Sequence, residues 1–116
     1  MDLGKLKELV NNFAKERDWD QFHSVKNLSM ALSVESSELL EIFQWMSEVD
    51  SNNLPSDPVK MQQVEEEVAD IFVYLLRIAS KTNINLEEAV IRKMEKNAKK
   101  YPVELARGNS KKYNEF

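Results

Sequence analysis

The sequence predicts an all-α protein, a four-helix bundle, and three observations carry that reading. Only two glycines and three prolines interrupt 116 residues, 42% of them hydrophobic and 31% charged, a composition short of turn formers. Apolar residues recur at steps of three and four in separate segments, and no stretch alternates strictly as a half-buried strand does. Residues suited to cap helices stand at the gaps between these segments.

In the first helix Leu3, Leu6, Val10, Phe13 and Arg17 form one stripe, which stops near Asp18. The stretch Trp19 to His23 (WDQFH) has no helical stripe and is a loop with large side chains to place, after which Ser24 sits where an N-cap would open the next helix. The second helix is expected from about Val25 to Met46, with Leu28, Leu32, Glu35, Leu39, Ile42 and Met46 on its core stripe. A glutamate thus occupies a core position. Ser47 to Pro58 is a polar connection, and Asp57 caps a third helix that begins with proline, whose missing N–H costs nothing there. That helix, about Val59 to Lys81, carries Val64, Val68, Ile71, Leu75 and Ile78 on one stripe and Ala69, Phe72, Leu76 and Ala79 beside it. So broad an arc asks for cover from its own chain and from a second copy, which implies a homo-oligomer. Asn85, with Glu88 three residues later, opens a fourth helix that runs to about Lys100 before Tyr101-Pro102 ends it. Four helices with short connections, one domain over residues 1–116 with a polar, basic tail at 102–116, is the expected architecture.

Charge and composition narrow the function. With 20 acidic and 16 basic residues the net charge is −4, against a nucleic-acid binder that works by neutralising phosphates. There is no cysteine, hence no disulfide framework and no thiolate zinc site. No segment has the apolar core of a signal peptide or approaches a membrane span, so a soluble, cytoplasmic protein is expected.

The chemistry lies in two carboxylate pairs. Glu35 and Glu38, and again Glu67 and Asp70, are three residues apart, so each pair projects from one helix face about one turn apart. Glutamates at this spacing usually line a solvated face. Here, however, Glu35 falls inside the apolar arc between Ile42 and Leu39, Glu38 falls between Ala31 and Trp45, and Glu67 and Asp70 lie with Tyr74 at the edge of the third helix's arc. An ionised carboxylate withdrawn from water costs several kcal/mol unless paired or metal-bound. No lysine or arginine is in register with Glu35, so a divalent cation is the compensator, and an all-oxygen ligand set favours magnesium, with manganese as a substitute. Such a site handles phosphates, and antiparallel packing of the second and third helices would assemble it. A di-iron carboxylate bundle needs two Glu-x-x-His motifs, which a chain with the single histidine His23 cannot supply. Trp19, Phe22, His23, Trp45 and Tyr74 are candidates for stacking a nucleobase, with ordinary core or interface packing the alternative for each and the preferred reading for Phe22. Lys93 and Asn97 continue the stripe of Leu86 and Val90 with polar ends, which suggests a polar pocket on the fourth helix or, equally, a solvated lysine.

These residues also carry a resemblance. E35-S-S-E38 followed by E67-V-A-D70 resembles the ExxE…ExxD motif of the all-α, MazG-like NTP pyrophosphohydrolases. The segments RDWDQFHSVKNLSMALSVESSELLEIFQW, EEVADIFVYLL, KMEKNAKKYP and LARGNSKKY are similar to the dCTP pyrophosphatase branch of that superfamily. The resemblance implies hydrolysis of a nucleoside triphosphate, dCTP or a related dNTP, to the monophosphate and pyrophosphate by a metal-activated water, in the service of nucleotide-pool house-cleaning. It makes Glu35, Glu38, Glu67 and Asp70 the catalytic metal ligands, and Trp19, Asp20, Gln21, Phe22, His23, Trp45, Tyr74, Lys93 and Asn97 nucleotide-contacting positions, with Arg107 or Lys111 reaching the phosphates. It implies a homotetramer, a dimer of dimers. Val10 stands where eukaryotic members of the branch carry a histidine, and Val25 replaces a common proline. The readings set beside this one are a non-catalytic helical oligomerisation module and a phosphoribosyl-ATP pyrophosphohydrolase.

Overall fold

The computed structural model describes all residues, Met1–Phe116, and the chain is helical throughout with no strand. Its backbone forms two compact units, Met1–Asn83 and Ile84–Phe116.

In the first unit, α1 (Leu3–Glu16) opens on Asp2, whose carboxylate accepts from the Lys5 N–H. It closes on Arg17, and Asp18 just beyond, a non-glycine residue at φ 54°, makes the left-handed turn that throws the chain out of the helix. The loop that follows is wound tightly by backbone bonds: Trp19 N–H donates to Ala14, and Phe22 and His23 donate back to Trp19. Ser24 caps α2 (Val25–Phe43) through its hydroxyl and the Asn27 N–H, as expected. This helix stops one turn earlier than its periodicity suggests. Ser47 takes an extended conformation and accepts from Asp50 N–H to begin a further helix, so the chain must leave α2 before Met46.

The expected loop is therefore structured, with α3 (Glu48–Asn52) and a 3-10 turn (Leu54–Ser56) anchored by the buried Leu54. Then α4 (Pro58–Thr82) starts on the Asp57 cap and Pro58, and closes with Asn83 in the left-handed conformation. The helices α2 and α4 form the main packing interface, with α1 and the 3-10 turn also set on α4. Ile42, Trp45 and Met46 share a cavity wall with Lys60 and Gln63, whereas Glu35 shares one with Asp70 and Tyr74, so α2 and α4 run antiparallel. Ala14, Leu28, Leu54, Leu76 and Ala79 are the buried apolar core.

The second unit holds α5 (Leu86–Lys100), capped by Asn85 as expected, and two elements the periodicity does not announce: α6 (Val103–Ala106) and a 3-10 turn (Tyr113–Glu115). The tail folds back on the end of α5, where Tyr101 meets Tyr113 and Phe116 edge-on at 6.2 and 5.8 Å.

Candidate metal centre

Because side chains three apart on a helix point the same way, α2 aims Glu35 and Glu38 at α4, and antiparallel packing brings Glu67 opposite them. One carboxylate oxygen from each of Glu35, Glu38 and Glu67 lies within 4.8 Å of the other two. Glu38 is exposed, Glu35 and Glu67 are half-buried, and the Oε2 atoms of both are buried with no donor from outside the acid cluster. Three acids so close cannot all stay ionised unaided. The Glu35 carboxyl is pushed up from its usual 4.5 to about 7, first by hydrogen bonding with Glu67, then by burial, by hydrogen bonding with Glu38 and by the charges of Glu38 and Asp70. Asp70, the fourth acid of the motif, is exposed and stands outside the tight trio. Two orphaned carboxylate oxygens among hard oxygen donors are what a divalent cation would satisfy, so the residues fit a metal site.

A cavity lies to each side. The smaller, about 210 Å³, is lined by Val10, Phe13 and Ala14 of α1, Trp19 and His23 of the loop, Glu35, and Asp70, Val73, Tyr74 and Arg77 of α4. The Tyr74 hydroxyl is held above its usual pKa by burial and then by the charges of Glu35, Asp70 and Glu38, so it stands in the field of the cluster. The larger, about 760 Å³, is lined by Glu38, Glu41, Ile42, Trp45 and Met46 of the α2 end and Lys60, Gln63 and Glu67 of α4.

The structure thus brings Trp19, His23 and Tyr74 together beside Glu35 and Asp70, and sets Trp45 beside Glu38 and Glu67. The other residues singled out from the sequence are engaged elsewhere. Gln21 donates to the Asp18 carbonyl and carboxylate at 3.1 and 2.9 Å. Phe22 is 61% exposed. Asp20 pairs with Arg77 and lies 3.7 Å from Lys81, and the Arg77 hydrogen bond holds its carboxyl below the usual carboxylate value. Lys93, Asn97, Arg107 and Lys111 belong to the second unit, where Lys111 N–H donates to the Asn109 side chain.

Two basic residues escaped the sequence reading. Lys60 sits on the first turn of α4 and lines the larger cavity. Arg77 is buried at 4% exposure on the wall shared with Glu35, but its guanidinium turns to Asn11 and Asp20 and so leaves Glu35 uncompensated. No local signal marked it, since it stands outside the apolar arc of α4.

The MazG-like family model matches residues 30–116, a span that holds all four acids. The chain belongs to the MazG-like family. Over 114 residues, 98% of this chain and 67% of the relative, it is 40% identical to mouse dCTP pyrophosphatase 1; the human protein of that name is 39% identical over the same share. A crystal structure of a pyrophosphatase from Archaeoglobus fulgidus superposes with a TM-score of 0.78 at 42% identity, covering 85% of this chain and 91% of that one.

Proposed function

We propose that the chain hydrolyses deoxynucleoside triphosphates, dCTP or a close relative of it, to the monophosphate and pyrophosphate, with magnesium held by Glu35, Glu38, Glu67 and Asp70. The enzyme class, nucleoside triphosphate pyrophosphohydrolase, comes with the family and with identity near 40% along almost the whole chain. The observation that carries the metal assignment is the pair of buried, unpartnered oxygens on Glu35 and Glu67. When bound, the ion neutralises phosphate charge and acidifies a water, which is the chemistry that cleavage of a phosphoanhydride needs.

The chain's own residues divide the remaining tasks. Trp19, His23 and Tyr74 form an aromatic wall of nucleobase size in the smaller cavity, and Trp45 offers a second stacking face in the larger one. Asp70 borders the smaller cavity and completes the ligand set from the edge of the trio. Gln21, Phe22 and Asp20 serve by shaping the loop, and Lys93, Asn97, Arg107 and Lys111 serve as nucleotide contacts.

Assembly into a homotetramer, a dimer of dimers, is part of the same reading. Val68 and Leu75 on the α4 arc remain 50% and 37% exposed in the single chain, as do Met30, Val34 and Leu40 of α2 at 56%, 56% and 65%. No helix is long and apolar enough to cross a membrane, and we assign the protein to the cytoplasm, where nucleotide pools are found.

The test is a panel of canonical and 5-modified (d)NTPs assayed for pyrophosphate with and without magnesium. Magnesium-dependent release, strongest for a cytosine deoxynucleotide, is the expected result. Release of orthophosphate alone would replace this reading with that of a phosphatase, and no nucleotide binding in a metal titration with that of a non-catalytic helical module.

A further inference from the structure

Arginine is seldom buried unless it is paired, and Arg77 is 4% exposed, with its Nε left without a partner and both terminal nitrogens engaged. Its Nη1 donates to Asn11 Oδ1 of α1 at 2.9 Å. Its Nη2 donates to Asp20 Oδ1 and lies 3.3 Å from His23 Nδ1, both in the loop between α1 and α2. One guanidinium on α4 therefore ties down α1 and both ends of the segment Asp20–His23. A lysine, with a point charge and no planar fork, could not span these three partners at once.

The contact with His23 fixes more than position. A guanidinium has five N–H donors, no acceptor, and does not deprotonate in a protein. Opposite Arg77 Nη2, His23 Nδ1 has to be the accepting nitrogen, and in a neutral imidazole the proton then sits on Nε2. We propose that Arg77 is a positioning residue for the reaction: it locks His23 as the neutral Nε2–H tautomer beside Trp19, so that the cavity offers a hydrogen-bond donor to an acceptor atom on the nucleobase. The assignment rests on the nucleotide reading given above. The Trp19 and His23 ring centroids are 6.0 Å apart, so a base stacked on the indole has the imidazole at its rim.

The groups around His23 agree with a neutral ring. Burial lowers its pKa first and the Arg77 charge lowers it further, Asp20 opposes them, and Lys81 adds a smaller push in the same direction as Arg77. Glu35 and Asp70 line the same cavity. An uncharged donor in an acid-lined cavity discriminates by geometry rather than by attraction to any anion, which suits recognition of a base more than of a phosphate.

His23 is the only histidine, so nitrogen-15 NMR of the full-length protein reads its tautomer without overlap. At pH 7 the expected spectrum has a protonated Nε2 and a bare Nδ1. In Arg77→Met, which keeps length and loses the donors, the two tautomers should mix, the His23 pKa should rise, and KM for the best dNTP should increase with kcat nearly unchanged. Asp20→Asn, at an exposed residue, should raise KM in the same way while keeping the fold. A protonated Nδ1 in the unsubstituted protein overturns the proposal without any variant, as does an Arg77→Met protein with unchanged tautomer and KM. Because the tautomer is read without substrate, a protein that turns over no nucleotide refutes the functional reading separately.

Discussion

Asn11 donates through Nδ2 to the Ser80 hydroxyl at 3.1 Å, joining α1 to the last turns of α4 across 69 residues of sequence. The Asn11 side-chain oxygen accepts from Arg77 one turn earlier on the same helix. A single amide thus bonds twice to α4 beside Val10, Phe13 and Ala14, which wall the smaller cavity. Ser80→Ala should cost about 0.5–1.5 kcal/mol, the net worth of one partly buried hydrogen bond, read by urea unfolding. A cost near zero would leave the docking of α1 to the Arg77 bond and to apolar contacts.

Glu35→Gln and Asp70→Asn should each remove nearly all pyrophosphate release while circular dichroism stays helical. Each keeps volume and loses the anion that a cation needs. Turnover within a few-fold of the unsubstituted enzyme would take the metal away from these positions.

Stability without metal should depend on pH through Glu35. Its pKa is raised from 4.5 to about 7 in the folded chain, so its stabilising contribution is complete below 4.5 and is lost as pH rises through about 7. In EDTA the melting temperature of Glu35→Gln, measured relative to the unsubstituted protein, should therefore climb between pH 4.5 and 7. Magnesium should reverse that order at pH 7.5 by stabilising only the chain that still has its carboxylate. A difference that stays flat across pH would contradict the crowding of acids around Glu35.

Trp19→Ala and Trp45→Ala should each weaken nucleotide affinity by about 1–3 kcal/mol, the usual worth of a base stacked on an aromatic ring. Calorimetry against a non-hydrolysed dNTP analogue makes the measurement. Affinities equal to that of the unsubstituted protein would leave the 91% exposed Trp45 ring to subunit packing.

Sedimentation and specific activity measured along one dilution series should fall together. The half-exposed Val68 lies one residue from Glu67, so a subunit covering it would also border the metal centre. A monomer of undiminished specific activity would separate the exposed apolar arc from the site.

What the sequence made legible was local. Ser24, Asp57 and Asn85 cap the helices foreseen for them because an N-cap bond spans only three residues, and the acid pairs were visible because both members of a pair share one helix. Glu35 was set apart by its place in an apolar arc, a pattern that survives without coordinates. The short α3 escaped notice because five residues give no periodicity to read. Arg77 escaped for a different reason. Its partners Asp20, His23 and Asn11 lie 57, 54 and 66 residues away, and nothing in the local pattern distinguishes a buried arginine from a solvated one.

The two tryptophans stand in contrasting settings. Trp45 is 91% exposed at the end of α2, while Trp19 is 42% exposed, with Phe13 edge-on at 5.7 Å and His23 at 6.0 Å. The unlabelled protein should therefore fluoresce from two distinguishable indoles, one on each cavity. Emission from Trp45 should lie to the red and yield readily to iodide; emission from Trp19 should be bluer, less accessible to iodide, and dimmed when the neighbouring imidazole takes up a proton. Occupancy of either cavity becomes an optical signal that needs no dye.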